Sequence, residues 1–206
     1  MVDAPRHQLL CNHSNKSTRM TMTNVQIAWT SADLELLPDN DNHYEIINGE
    51  LSMTRAPHWK HQRTIGKICT ALENWIGETG NGAVIINPGI IFRDTDNVIP
   101  DLVWMTSERL EHGVDESGHL IAAPELVVEV LSESQADVLR DKQSKLKLYS
   151  NQGVQEYWIV DWRLKSVEVY RRKQGKLELA MTLLEEDEIT SSLLSGFSCQ
   201  VSTFLV

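Results

Sequence analysis

One short stretch, residues 126–131, constrains the fold more than any other part of the chain. Five of its six residues are apolar, and Glu129 is the exception. An extended strand with apolar side chains on both faces must be covered on both faces, as are the central strands of α/β sheets. A carboxylate in such a strand loses its hydration and needs a cation, a proton or another polar partner. Glu129 is therefore a candidate site residue.

A second acid interrupts the preceding apolar run, residues 98–105. Asp101 follows Pro100 and stands among Val, Ile, Leu, Trp and Met residues. Either acid alone could lie at a strand end and face water. Two such acids on consecutive strands of one sheet favour a shared site instead.

The order of elements around these acids predicts the fold class. Asn48-Gly49 between two short alternating runs indicates a β-hairpin, and helical periodicity marks residues 57–80 and 134–151. The core reads helix, three strands, helix, strand, with a second hairpin over residues 166–184. We therefore predict an α/β protein with a mixed sheet flanked by helices.

The second helix brings a lysine towards Glu129. At about 100° per residue, Lys145 falls about 20° from Val138, inside the apolar arc that also contains Tyr149. A lysine in a buried stripe must extend to water or meet a carboxylate. Lys145 is therefore predicted to join the acidic site.

Two alternatives accompany this prediction. Lys142, about 40° from the arc's reference residue, is a competing inward lysine. Asp141 and Lys145, four residues apart, could instead form a surface ion pair. Arg140 and Lys147 fall on the far side of the wheel and are expected to be surface charges.

Two carboxylates and a lysine suit one kind of chemistry. Carboxylate oxygens prefer Mg²⁺ or Mn²⁺ to zinc, and such an ion polarises a phosphoryl oxygen and acidifies a bound water. Lys145 would orient that water or stabilise charge on the phosphate. The combination indicates metal-assisted phosphodiester hydrolysis.

These residues resemble the nucleases of the PD-(D/E)XK type, which have a restriction-endonuclease-like core, and more narrowly the Uma-two family. The resemblance covers about residues 25–206. Its main stretches are YEIINGEL (44–51), HQR (61–63), PDLV (100–103), PELVVEVLS (124–132), DKQSKLKLY (141–149), GVQEYWIVD (153–161) and LLSGF (193–197).

The resemblance implies a Mg²⁺- or Mn²⁺-dependent endonuclease that acts on DNA, with Asp101 and Glu129 as metal ligands. One position departs from the pattern, because the lysine expected two residues after the acid is Leu131 here. The resemblance places the lysine on the following helix, at Lys145.

The resemblance also nominates three further residues. Glu45 would complete the acidic cluster or bind a second metal, unless it is an exposed hairpin charge. His61 would contact a phosphate or orient an acid, unless it is a capping or surface histidine. Tyr149 would hydrogen-bond the site, although an inward tyrosine is more often simply part of the core.

Composition limits the other functions. The net charge of −10 argues against a protein that coats nucleic acid by bulk attraction. No apolar run approaches the roughly 20 residues of a membrane span, and three scattered cysteines suit a reducing compartment, so we expect a cytoplasmic protein. A basic cluster from Arg163 to Lys176 is either a solvated hairpin or a DNA-backbone contact.

We expect residues 1–24 to be a disordered tail and residues 25–206 to form a single domain. A homodimer would suit double-strand cutting, on fold-level analogy alone. The rival to the nuclease hypothesis is a catalytically silent nucleic-acid or protein-binding module on the same fold, because a fold does not establish an activity.

Overall fold

The computed structural model describes residues 27–38 and 42–205, and the predicted tail, residues 1–24, lies outside the described residues. The strands are β1 His43–Ile47, β2 Glu50–Thr54, β3 Ala83–Ile86, β4 Ile90–Arg93, β5 Asp96–Val98, β6 Leu102–Met105, β7 Leu126–Val130, β8 Glu156–Asp161, β9 Ser166–Lys173, β10 Lys176–Leu184, β11 Glu188–Thr190 and β12 Ser198–Gln200. The helices are α1 Ser31–Leu34, α2 Trp59–Thr79, α3 Ser107–His112, α4 Gln135–Leu139, α5 Leu146–Gln152 and α6 Val201–Phe204. A π-helical segment, Arg140–Lys145, joins α4 to α5.

The main sheet has six strands in the order β10-β9-β8-β7-β6-β3. β7 and β8 are parallel, and the other neighbouring pairs are antiparallel. A parallel pair needs a long crossover connection, and the α4–π–α5 helix supplies it. The sheet is therefore mixed, as the order of elements predicted.

β7 is the central strand that its sequence indicated, and all five of its residues are buried. Leu126, Val128 and Val130 pack in the cluster that includes the apolar stripe of α2, whereas Val127 packs in the cluster that includes Tyr149 of α5. Because side chains alternate along a strand, Glu129 shares the face of Val127. Strand geometry thus points Glu129 towards the crossover helix.

A second sheet, of order β2-β1-β5-β4, packs beside the first. It begins with the predicted hairpin, in which Asn48 and Gly49 have φ values of 51° and 76°, as a tight turn of this kind requires. β1 also pairs with β5, through Ile46 and Asn97. This pairing brings Glu45 next to the start of the Asp101 segment.

The prediction of one apolar strand over residues 98–105 is wrong. β5 ends at Val98 in the small sheet, and β6 begins at Leu102 in the main sheet. Pro100 lies between them and has no N–H to give to a sheet ladder. Asp101 therefore occupies the corner where the chain crosses from one sheet to the other.

The short helix α6 directly follows β12. Phe204 of α6 is fully buried and stacks against Trp158 of the main sheet. Across the two described ranges, no helix has both the length and the hydropathy that a bilayer span requires.

Candidate active site

The structure brings Glu129 and Lys145 into direct contact in the protein interior. Lys145 Nζ lies 2.8 Å from Glu129 Oε1, 2.9 Å from Glu45 Oε1 and 3.8 Å from Asp141 Oδ1. Tyr149 Oη donates a 3.0 Å hydrogen bond to the same Glu129 oxygen. Lys145 is only 2% exposed. A single buried ammonium group therefore holds three carboxylates together.

Asp101 lies beside this group and is tied to β7. Its Oδ2 accepts a 2.7 Å hydrogen bond from the backbone N–H of Val130, the residue after Glu129. The same oxygen lies 3.3 Å from His61 Nε2. His61 stands in the first turn of α2 and is buried. His61 thus contacts Asp101 in the interior and is not a surface histidine.

Glu45 reaches the cluster through the pairing of β1 with β5. It is 3% exposed, and its Oε1 accepts a 2.8 Å hydrogen bond from the backbone N–H of Ile99. The alternative of an exposed hairpin charge is therefore wrong. Tyr149, which is fully buried, belongs both to the core and to the cluster.

The helical-wheel prediction places Lys145 correctly and Arg140 wrongly, at the two ends of the π-helical segment. Hydrogen bonds in a π-helix run from i to i+5, so each residue turns through less than the angle of an α-helix. Arg140, predicted to be a surface charge, instead has a side chain only 15% exposed, with Glu45 at 3.6 Å and Asp137 at 3.1 Å. Asp141 is buried together with Lys145, so the two do not form a surface pair.

The other lysines of this helix lie outside the cluster. Lys142 Nζ is 2.5 Å from Glu168 Oε1 on β9, and Lys147 is exposed. Of the two candidate lysines, Lys145 is the one that contacts the predicted acids.

The acidic cluster opens into a cavity of about 500 Å³. Glu45, His61, Asp101, Glu129, Asp141 and Lys145 all line it. The walls that surround them include the chain before α2, with Arg55 and His58, and the start of the crossover helix. The cavity is large enough to admit a phosphate group with part of the chain that carries it.

Burial and mutual repulsion govern protonation in the cluster. Burial raises the pKa of Glu129 well above its usual range; Lys145 opposes this shift, and the other carboxylates reinforce it. Burial also raises the pKa of Asp141 to about 6. Burial alone would lower the pKa of Lys145, but Glu129 and Glu45 outweigh it and raise that pKa well above its ordinary value. Lys145 therefore stays charged.

Asp101 raises the pKa of His61, as Glu129 and Glu45 raise that of Lys145. Burial alone would lower the pKa of His61, but the hydrogen bond to Asp101 and the negative charge of that residue raise it overall. His61 Nδ1 is buried without a hydrogen-bond partner. His61 lines the cavity, and its Nδ1 atom is therefore available to a bound ligand.

The donor chemistry of the cluster fits a divalent cation. Four carboxylates, those of Glu45, Asp101, Glu129 and Asp141, outnumber the two fixed cations beside them, Lys145 and Arg140. Asp141 Oδ1 is buried without a hydrogen bond, with Lys145 Nζ and Arg140 Nε each 3.8 Å away. Hard carboxylate oxygens are the ligands that Mg²⁺ and Mn²⁺ prefer.

In the described ranges, however, no three His, Cys, Asp or Glu side chains are arranged as a metal-binding group. The position of Lys145 accounts for this, because its ammonium group lies between Glu45 and Glu129. The donor set and the surplus charge fit a divalent ion, whereas the side-chain arrangement is that of a lysine-neutralised cluster. Lys145 contacts Oε1 of Glu129 and Oε1 of Glu45, so Glu129 Oε2 and the Asp101 carboxylate are the oxygens that a metal ion would take.

The pKa of Asp141 gives a prediction for stability in EDTA. Its folded-state pKa, about 6, exceeds its ordinary value of 3.8, so the folded protein binds more protons and loses stability as the pH rises between those values. Asp141→Asn removes this loss. Over that interval the wild type should lose roughly 2 to 3 kcal/mol relative to the variant. Urea unfolding of both proteins at several pH values in this interval measures the difference in their free energies of unfolding. A difference that does not change with pH would contradict the raised pKa of Asp141.

The basic cluster near the second hairpin is largely engaged within the protein. Arg163 pairs with Asp161, Lys165 with Glu185 and Arg171 with Glu156. Arg172 donates to backbone carbonyls, including that of Val154. These contacts favour the reading of a structural hairpin over that of a DNA-backbone contact.

Residues 31–202 match the model of the Uma2 family, whose description reads "Putative restriction endonuclease". The chain therefore belongs to the Uma2 family, as its motifs predicted. No curated protein matches the sequence.

Two solved structures are similar to this chain. One is described as a putative nuclease belonging to DUF820 from Anabaena variabilis ATCC 29413; it is 19% identical, has a TM-score of 0.68, and the match covers 85% of this chain and 96% of that one. The other is the type IIG restriction endonuclease BpuSI, 15% identical with a TM-score of 0.39, over 70% of this chain and 14% of that one. The first likeness confirms the predicted fold.

Proposed function

We propose that this protein is a Mg²⁺- or Mn²⁺-dependent endonuclease that hydrolyses phosphodiester bonds of DNA. The observation that carries the proposal is the buried group of Glu129, Glu45 and Lys145 beside Asp101, at a cavity that can admit a phosphate. Membership of a family described as restriction endonucleases supports DNA as the substrate.

Asp101 and Glu129 would hold the metal ion. When bound, the ion supplies Lewis acidity to a phosphoryl oxygen and lowers the pKa of a water molecule. Two contacts prepare these acids for that task. His61 fixes the orientation of Asp101 from α2, and Tyr149 fixes that of Glu129 from α5.

Lys145 would act on the phosphate and the attacking water. Its pKa keeps the ammonium protonated, so it serves as an electrostatic and hydrogen-bond donor and not as a base. The oxygen of water bonds to phosphorus, the bond from phosphorus to the leaving oxygen breaks, and one proton of that water passes through solvent to the leaving oxygen, so that no proton is gained or lost overall. Glu45 and Glu129 both contact the ammonium group of Lys145, so Glu45 helps to position Lys145.

A second candidate function is a catalytically silent nucleic-acid or protein-binding module. The observation that favours it is the lysine-neutralised cluster, in which Lys145 already compensates two of the carboxylates that a metal would need. In this reading the acids and Lys145 are structural.

Cleavage of supercoiled plasmid with Mg²⁺, with Mn²⁺ or with EDTA separates the two candidates. The nuclease proposal predicts nicked and linear products with either metal and none with EDTA. Metal-independent nicking would contradict it. Intact plasmid in all three conditions, with salt-dependent DNA binding retained, would instead favour the binding module.

A further inference from the structure

An exposed tryptophan stands beside the cavity and has no role in the chemistry proposed above. Trp59, the first residue of α2, is 60% exposed, whereas Trp162 beside it is 9% exposed. Aromatic side chains beside cations are the surfaces on which the bases of single-stranded nucleic acid stack.

His58 joins the two tryptophans into one aromatic platform, which we define as His58, Trp59 and Trp162. The His58 ring stacks on Trp162 with centroids 5.2 Å apart and an interplanar angle of 14°. It lies 5.8 Å from the Trp59 ring at 30°. His58 Nδ1 accepts a 3.1 Å hydrogen bond from the backbone N–H of Lys60, which fixes its ring.

The aromatic platform is anchored to the acidic site. Trp162 Nε1 donates a 3.1 Å hydrogen bond to the carbonyl of Leu131, two residues after Glu129. His58 lines the same cavity as Glu129 and Asp101. A strand with one phosphate at the carboxylates would therefore have its neighbouring nucleotides close to the platform.

The charges around the aromatic platform are those of a phosphate-binding surface. Lys60 Nζ lies 5.8 Å from the centroid of the Trp59 ring and 5.5 Å from that of Trp162. Lys60, and Arg55 on the wall of the cavity, form no ion pair with any residue in the ranges that the structure describes. In the second hairpin, by contrast, Arg163, Lys165 and Arg171 form ion pairs. Unpaired cations next to aromatic rings are the combination that binds single-stranded nucleic acid.

We propose that Trp59 stacks on an unpaired base of the strand whose phosphate enters the carboxylate site, with Lys60 and Arg55 contacting its backbone. The preferred ligand is then DNA with a single-stranded or frayed segment rather than a continuous duplex. This inference rests on the proposed function, because it takes the cavity as the place of the phosphate.

Binding to labelled oligonucleotides tests the inference by fluorescence anisotropy, with Glu129→Gln present in every protein to prevent cleavage. The probes are a thymidine oligomer of about 20 nucleotides and a duplex of the same length. Trp59→Ala should weaken binding of the oligomer about 5- to 100-fold and change binding of the duplex less than about twofold. Trp59→Phe, which keeps a ring, should restore most of the affinity.

Trp29→Ala is the matched control, because Trp29 is a partly exposed tryptophan outside the cavity lining. It should leave both affinities unchanged. Unchanged oligomer binding in Trp59→Ala would overturn the inference, and so would an equal loss for both probes or a failure of Trp59→Phe to restore binding. A change of oligomeric state on sedimentation would identify Trp59 as a protein interface and overturn it as well.

The two proposals fail in different ways. If the thymidine oligomer binds through Trp59 while the wild type leaves plasmid intact, the proposal of base stacking on Trp59 is supported and the nuclease proposal is wrong. If the wild type nicks plasmid while Trp59→Ala binds both probes normally, the nuclease proposal is supported and the proposal of base stacking on Trp59 is wrong.

Discussion

Asp101→Asn is expected to slow metal-dependent cleavage by about 10²- to 10³-fold, the scale of losing one group that stabilises the transition state. The amide retains an oxygen for the Val130 N–H bond, so the fold should persist. The substitution removes the negative charge that would hold the metal. This charge belongs to the carboxylate that His61 contacts. Initial rates of plasmid nicking measure the effect, and circular dichroism checks the fold.

Asp137→Asn is the matched control for this change. Asp137 lines the same cavity but pairs with Arg140 at its edge, so its rate should fall less than about threefold. If Asp101→Asn nicks plasmid as fast as the wild type, the assignment of the site is wrong. Equal losses in both variants would show that the cavity needs its overall charge and not Asp101 in particular.

Lys145→Met is expected to destabilise the protein by about 3 to 5 kcal/mol near neutral pH, since removing one partner of a buried ion pair leaves uncompensated charge. The loss should shrink as the pH falls. The pKa of Glu129 and that of Asp141 are raised in the folded state, so acid protonates these carboxylates in the folded protein first and relieves their repulsion. Urea unfolding in EDTA measures both effects.

Lys142→Met provides the comparison, because the two lysines lie on the same helical segment. Its partner Glu168 is partly exposed, and such pairs contribute less than about 1 kcal/mol. Cleavage should be lost in Lys145→Met and kept in Lys142→Met. If Lys142→Met is instead the inactive variant, the wrong lysine has been assigned.

The sequence alone was sufficient to find the two acids and the fold class. Glu129 and Asp101 could be singled out because each breaks an apolar run, and a carboxylate among buried apolar residues needs a physical reason. The fold could be found because the order of helices and strands leaves few ways to cover β7 on both faces. Asn48-Gly49 fixed the first hairpin because few other pairs tolerate its backbone angles.

What could not be predicted depends on long-range register and on the reach of one long side chain. Glu45 reaches Lys145 only because β1 pairs with β5, and the sequence of β1 does not encode that partner. Residues 98–105 read as one strand because apolar periodicity does not show which sheet a residue joins. Arg140 was misplaced because a helical wheel places backbone positions, and a long arginine side chain can reach Glu45 and Asp137 from a position outside the apolar arc.

Asp141 is the buried acid that sequence reasoning missed. Its spacing of four from Lys145 was visible, and a surface pair was the ordinary interpretation. The better signal was the inward position predicted for Lys145, since a partner four residues away on the same helix must share its burial.

The most direct test of the account is the nicking of supercoiled plasmid by the wild type and by Glu129→Gln, side by side, with Mg²⁺ and with EDTA. Glutamine keeps the shape of the side chain and an oxygen for Tyr149, while it removes the charge at the centre of the cluster. The account predicts nicking by the wild type with Mg²⁺ alone and none by the variant. Equal nicking by both proteins, or equal nicking with and without metal, would contradict it.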